Sequence, residues 1–173
     1  MKKIGIGVGL VAVCLVGICA VGRVGAISEG QKTAIVDHCE AIKEDLKKVQ
    51  RADARARVYI GGRYETILTD FVMPMNVWLV EKNMSRTELI ESQNAISEGK
   101  MGFSNDYVDY QQGLEQLVGM NCRAEPEKFY DKLVRVRQKR KKVEQDMQKM
   151  TKLLDDYKAQ VVKLKEAVSE KAK

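Results

Sequence analysis

The fold is decided by the stretch FYDKLVRVRQKRKKVEQDMQKMTKLLDDYKAQVVKLKEAV, residues 129–168. Alternating steps of four and three residues select twelve positions along it, of which eleven are apolar and only Arg140 is charged. This repeat is typical of a helix that packs against a partner helix as in a coiled coil. The twelve positions, here called the heptad seam, are Phe129, Leu133, Val136, Arg140, Val143, Met147, Met150, Leu154, Tyr157, Val161, Leu164 and Val168.

A second stretch has the same spacing, and seven of its nine seam positions are apolar. Ser85 and Glu88 form a capping box at its start, and Gly119 is expected to end it. Gly99 and Gly102 lack side chains, which permits a close helix approach or a bend. The nine positions are Leu89, Gln93, Ile96, Lys100, Phe103, Tyr107, Tyr110, Leu114 and Leu117.

A third helical pattern precedes these two and runs from about residue 30 to 83. Its seam changes phase at Gly61-Gly62, and Pro74 is expected to kink it. The three predicted helices cover about residues 30–83, 86–118 and 126–172, and short links between them make neighbours antiparallel. We therefore predict an all-α chain, with an up-down-up helical hairpin or coiled-coil bundle after an N-terminal membrane helix.

The composition agrees with a slender helical body. Of 173 residues, 45% are hydrophobic and 31% charged, which excludes a wholly disordered chain, and there are only two prolines. The net charge is +6, while residues 126–173 alone contain 15 basic and 8 acidic residues. The basic character therefore belongs to the last helix.

Residues 4–22 are nineteen consecutive uncharged residues, about 28 Å of helix, close to the thickness of a bilayer core. Lys2 and Lys3 precede them, which places the N-terminus in the cytoplasm and the body outside. The length favours an uncleaved single-pass anchor. The alternative is a signal peptide cleaved after Val24-Gly25-Ala26, which would release the body. Residues 1–27 are thus an anchor or signal, and residues 28–173 an extracytoplasmic helical domain.

Cys39 and Cys122 are the two cysteines of the body, and an oxidising compartment favours a disulfide between them. Helix lengths argue otherwise. A second helix of about 33 residues brings Cys122 back beside Val49 or Gln50, roughly 16 Å along the axis from Cys39. An intrachain bridge, two free thiols and an interchain bridge therefore all stay open.

The sequence contains no pattern of catalytic, cofactor-binding or metal-binding residues. His38 is the only histidine and is predicted to lie on a helix surface. No CxxC, HExxH, phosphate-binding loop or EF-hand motif occurs. We therefore expect a protein that is not an enzyme and that has no cofactor.

Six cations fall within eight residues of the last helix. Outside the cell such a run would meet anionic lipid headgroups or an acidic wall polymer, and no nucleic-acid partner is expected. The alternative is the solvated face of a long helix. This basic run consists of Arg135, Arg137, Lys139, Arg140, Lys141 and Lys142.

The most apolar part of the body is FVMPMNVWLV, residues 71–80. It is interpreted either as the packed end of a hairpin or as a partner-binding apolar tip. The tip residues would be Phe71, Met75, Trp78 and Leu79.

The last predicted helix exceeds the second by about 14 residues, so its end past Asp155 is expected to lack a partner within the chain. Seam residues continue there through Tyr157, Val161, Leu164 and Val168. Exposed heptads usually pair, which predicts a homo-oligomer through this end.

Three stretches, ADARARVYIGGRYE (52–65), NCRAEPEKFY (121–130) and VRVRQKRKKVEQD (134–146), resemble a family of uncharacterised envelope-anchored helical proteins of small-genome bacteria. They cover about a fifth of the chain and imply compartment and architecture only. The signal segment, basic charge and long helical arms also resemble OmpH/Skp-like periplasmic chaperones. Those chaperones contain a small trimerising β-body, for which this sequence shows no strands. The sequence therefore predicts an envelope scaffold that binds proteins, with a secreted Skp-like holdase for unfolded exported proteins as the alternative.

Overall fold

The computed structural model describes residues 27–84 and 86–171, which form helices and contain no strand. The prediction of an all-α body is confirmed. The helices are α1 (Glu29–Asp37), α2 (Cys39–Ile67), α3 (Met73–Glu81), α4 (Thr87–Gly119) and α5 (Pro126–Lys171), with a π-helical turn at Leu68–Val72 between α2 and α3. The apolar segment 4–22 and Ser85 of the expected capping box lie outside the described residues. Within the described ranges, no helix is both long and apolar enough to cross a bilayer.

The segment from α1 to α3 forms one arm, called the first arm here, which is less regular than the single helix predicted. Ser28 and Gln31 form a capping box at its start, a signal that the sequence carries as S-x-x-Q. The helix is interrupted at His38, whereas Gly61-Gly62 lie inside an unbroken α2.

Pro74 acts on the first arm through the π-helical turn that precedes it. The Met73 amide donates to the Leu68 carbonyl, five residues back, instead of the usual four. A proline ring has no amide hydrogen and collides with the carbonyl four residues before it, so a wider turn at this point relieves both problems. Where the sequence predicts a kink, the structure contains a local widening of the helix.

α4 and α5 form an antiparallel pair, and this pair contains most of the core. Lys139 binds Asp109 at 2.7 Å near one end, and Ser92 pairs with Gln160 at 3.2 Å near the other. The seam positions of both helices are largely buried, as their spacing predicts. The best buried of them are Ile96, Leu114, Leu117, Phe129 and Met150.

Two glycines of α4 face α5 where the helices approach closely. A Cβ atom at Gly99 would lie 2.7 Å from Met150 Sδ and 3.2 Å from Leu153 Cδ1. At Gly113 it would lie 3.3 Å from Val136 Cγ2. Gly102, by contrast, has open space at the same position. The close approach allowed by the sequence is therefore realised at Gly99 and Gly113.

We expect Gly99→Ala to lower the free energy of unfolding by about 1–2 kcal/mol, because the methyl group overpacks the contact with Met150. The control Gly102→Ala should raise it by up to about 1 kcal/mol, since alanine favours helix and meets no neighbour. Urea unfolding of both variants measures the difference. Equal and stabilising effects at the two positions would contradict the close packing of α4 on α5.

The prediction that α5 loses its intrachain partner past Asp155 is wrong. Tyr157 is buried, Gln160 bonds Ser92, and Leu164 still packs against the core; only Val168, 42% exposed, extends beyond α4. α5 overshoots α4 at its other end as well, where Glu127 pairs with Lys32 of α1. Because the excess length is shared between two ends, less of it is left at the C-terminal end.

Candidate functional site

A long groove separates residues 59–78 of the first arm from α5. Both elements pack on α4, but every Cα of α2, the π-helical turn and α3 stays more than 8 Å from those of α5. The groove has a volume of about 1390 Å³ and runs from Tyr59 to Trp78 on the first arm and from Glu144 to Val162 on α5. It is lined mainly by apolar side chains.

Tyrosine side chains cross the floor of the groove. The Tyr64 hydroxyl reaches the Met147 carbonyl at 3.5 Å, and the Tyr64 ring stacks edge-on against Phe103 of α4, with centroids 5.6 Å apart. The Tyr157 hydroxyl lies 3.2 Å from the Val72 carbonyl. Burial raises the pKa of both tyrosines above their usual value. They remain protonated at neutral pH, and they link the first arm to α5 without closing the groove.

The Tyr157 contact belongs to a buried polar network at the end of the body that contains α3. This end is called the far end here, and the end that contains α1 and the disulfide is called the near end. Asn76, 6% exposed, donates to the Leu89 carbonyl at 3.1 Å and to Gln93 Oε1 at 2.8 Å. Its Oδ1 lies 3.1 Å from the Tyr157 hydroxyl. One asparagine thereby connects α3, α4 and α5, and it explains the polar Gln93 in the α4 seam. The sequence analysis missed Asn76, for which only its place within an apolar run was a signal.

The predicted apolar tip is divided between surface and core. Phe71 and Trp78 are 64% and 47% exposed and line the groove, whereas Leu79 is 2% exposed and belongs to the core. Met75 is half-buried on the groove wall. Leu79 is therefore removed from the candidate binding surface.

α3 exposes a second apolar stripe that the tip prediction did not include. Met73, Val77 and Val80 are 43%, 58% and 55% exposed, at the spacing of one helical face. A helix that is apolar on every side is normally buried all round. α3 buries only Asn76 and Leu79. Its unburied faces mark the far end of the body as a candidate interaction surface.

Arg140, the one charge in the α5 seam, is explained by an ion pair to the first arm. Its Nε and a terminal nitrogen donate to the two carboxylate oxygens of Asp53, at 2.8 and 3.0 Å. The Tyr110 hydroxyl donates to the same carboxylate at 2.7 Å. The bond to Asp53 raises the pKa of Arg140, and burial together with that carboxylate raises the pKa of Tyr110. The seam is thus interrupted to attach α2 to the α4–α5 pair.

The basic run is only partly available to a ligand. Lys139 binds Asp109, Arg140 binds Asp53, and Lys142 binds Asp106. The other three cations are exposed and form no ion pair within the described residues; they are Arg135, Arg137 and Lys141. The run therefore divides into three cations that fasten α5 to its neighbours and three that face solvent.

Cys39 and Cys122 are joined by a disulfide, with Cα atoms 5.7 Å apart, and both residues are buried. The predicted offset of Cys122 to Val49 is wrong for two reasons. Past Gly119 the helix is replaced by an extended residue at Met120, which advances about twice as far as a helical residue. The first arm and α4 are also unequal in length between the same two contacts. Asn76 faces Gln93 and Asp53 faces Tyr110, so a longer piece of the first arm lies beside a shorter piece of α4. The intrachain bridge is the alternative that the structure contains.

Asp106 and Asp146 face each other between α4 and α5 beside Lys142. Asp146 Oδ2 is buried and, among the described residues, has no hydrogen-bond partner. The bond from Lys142 lowers the pKa of Asp106, whereas burial and the neighbouring Asp106 raise the pKa of Asp146. Two carboxylates that share one site cannot both be charged without cost.

We expect Asp146→Asn to stabilise the protein by about 1 kcal/mol at pH 7, because it removes a buried unsatisfied charge and supplies an amide donor. Because the pKa of Asp146 is raised in the folded protein, the protonated side chain contributes to stability at low pH. That contribution is lost as the pH rises through the raised pKa. The gain should therefore shrink as the pH is lowered below the raised pKa of Asp146, where the native side chain is itself protonated. Thermal unfolding at pH 4 and pH 7 measures this. A gain that is equal at both pH values would contradict the carboxylate pair.

The site is formed by apolar side chains and exposed charges. Within residues 27–84 and 86–171, no cluster of side chains has the composition of a metal site. His38, the only histidine, is exposed at the break between α1 and α2. The fold and the site define a helical body with an open apolar groove. No family model, curated protein or solved structure matches the chain.

Proposed function

We propose that this chain is a single-pass, membrane-anchored extracytoplasmic protein that acts as a structural and interaction scaffold of the cell envelope. The observation that carries the proposal is α3, which is apolar on all sides yet leaves most of its apolar surface exposed. Such a surface is typical of a protein-binding site. The partner is a protein that offers an apolar surface of its own.

The distance between the anchor and α3 supports a protein partner over the anchoring bilayer. Residues 29–81 are helical along almost their whole length, about 80 Å at 1.5 Å per residue. If residues 4–22 span the membrane and the first arm stands upright, α3 is held far above that membrane. The buried disulfide at the near end agrees with an oxidising, extracytoplasmic compartment.

Photocrosslinking in intact cells tests this function. A photoreactive residue at Val77, on the outer stripe of α3, should capture one or two discrete proteins. The same residue at Asn94, a polar residue exposed on α4, is the matched control. Equal capture at both positions, or capture of lipid alone at Val77, would exclude a protein scaffold that uses this end. Protease added to spheroplasts should meanwhile remove the body if it lies outside the membrane.

A holdase for unfolded exported proteins is the second candidate, because the groove is apolar and open along its length. A holdase should suppress aggregation of an unrelated unfolded protein at near-stoichiometric amounts. It should also crosslink to many clients through Phe71 and Trp78, not to a few. A scaffold should show neither behaviour, so the two functions are distinguished by a single pair of assays.

A further inference from the structure

Four exposed charged residues of the groove are arranged symmetrically about a single position along its length. On the first arm these are Arg63 and Asp70; on α5 they are Glu144 and Lys158. None of the four forms an ion pair within the described residues. The first arm and α5 run in the same direction, because Tyr64 contacts Met147 and Val72 contacts Tyr157.

Interpolation between those two contacts places Ile67 level with Thr151. Arg63 and Asp70 lie about equally far on either side of Ile67. Glu144 and Lys158 lie equally far on either side of Thr151. Each pair consists of two charges of opposite sign. The two pairs have their midpoints at the same position along the groove.

We propose that the groove is the docking surface for a second copy of this chain. A two-fold axis that runs across the groove at the level of Thr151 places the first arm antiparallel to the first arm of the second copy. It likewise places α5 antiparallel to α5 of the second copy. Arg63 then faces Asp70 of the second copy, and Glu144 faces Lys158 of the second copy, each pair occurring twice. An interface of this kind must be self-complementary, and the four charges satisfy that condition. Asp155, the remaining groove charge, finds no opposite charge at its equivalent level.

The size of the groove fits a weak dimer. Twenty residues of helix are about 30 Å long, and two helices side by side are about 20 Å wide, so each copy offers about 600 Å². This is slightly below the usual ~800 Å² per partner, so association in the micromolar range is expected. The chain's own segment 4–22 is a poor occupant as a helix. Residues 23–26 can span at most about 14 Å and a helix of residues 4–22 about 28 Å more, so its far end reaches about 42 Å, whereas the groove begins at Tyr59, about 45 Å along the arm from Glu29.

The antiparallel arrangement determines how anchored copies would lie. The two Glu29 residues stand at opposite ends of the dimer, about 110 Å apart at 1.5 Å per residue. Two copies in one membrane would then lie along its surface, so the upright first arm of the proposed function describes a copy that is not paired through the groove. This inference deepens the proposed scaffold role, since it names a second copy as one partner. The test of dimerisation uses purified protein alone. Dimerisation can therefore be absent while Val77 captures other envelope proteins in cells, and it can be present when Val77 captures none.

The test is a cysteine crosslink placed on the axis. In full-length protein with Cys14 and Cys19 changed to serine, purified in detergent, Thr151→Cys should form a disulfide-linked dimer. Lys149→Cys, exposed on another face of α5, is the matched control. The proposal is overturned if the two positions crosslink equally.

Charge reversal adds a second criterion in the Thr151→Cys background. Arg63→Glu places a glutamate opposite Asp70 of the second copy, twice per dimer, and should lower the initial rate of crosslinking about five- to tenfold at low salt. Arg63→Glu with Asp70→Arg exchanges the two signs and should restore that rate. All four charges lie on exposed positions, and circular dichroism verifies that the variants are folded. A double variant no faster than Arg63→Glu alone would overturn the two-fold arrangement.

Discussion

Changing Cys39 and Cys122 together to alanine is expected to lower the free energy of unfolding by about 4 kcal/mol. The bond closes a loop of 83 residues, and opening it returns that loop's conformational freedom to the unfolded chain. For a body of this size the midpoint of thermal unfolding should fall by about 10 °C. Circular dichroism during heating measures the change.

Reductant serves as the control for this first experiment. It should lower the unfolding midpoint of the native chain to that of the double variant and leave the double variant unchanged. A native chain that does not respond to full reduction would show that the bridge does not contribute to stability. The near end should be affected most, because α1 is held there by Cys39 and by the ion pair between Lys32 and Glu127.

The second large effect is expected at the opposite end. Asn76→Ala should cost about 3 kcal/mol, because it leaves Gln93, the Leu89 carbonyl and the Tyr157 hydroxyl without their buried partner and opens a small cavity. Tyr157→Phe removes one hydroxyl of the same network and should cost about 1 kcal/mol. Urea unfolding of both variants gives the comparison.

Asn94→Ala is the control for Asn76→Ala, since Asn94 is exposed on α4 and should change stability by no more than about 0.5 kcal/mol. Hydrogen exchange should also show that Asn76→Ala increases opening of α3 more than of the α4–α5 pair. Uniform opening of all helices would contradict a network that acts locally between α3, α4 and α5.

Most of the helical architecture follows from sequence periodicity. Steps of four and three residues place Ile96, Leu117, Phe129 and Met150 on one face of their helices, and burying those faces against each other leaves few arrangements for a chain with short links. α4 ends at Gly119, where the sequence predicts an end, although this glycine does not have the left-handed φ of a glycine cap, and α5 begins at Pro126 as predicted. Helix formation depends on neighbours three and four residues away, so the sequence contains the necessary information.

The relative displacement of the helices was decided only by the tertiary structure. Three features depend on axial offset and on the widened turn before Pro74: whether Cys122 reaches Cys39, how far α5 extends past α4, and which acids Arg140 and Lys142 bind. A heptad pattern repeats every seven residues and is satisfied almost equally well by several offsets. Long-range contacts select one offset: the disulfide near α1, Asp53 with Arg140 in the middle, and Asn76 with Tyr157 at the far end. The groove between the first arm and α5 exists because α4 lies beneath both, and no local pattern in the sequence specifies that distance.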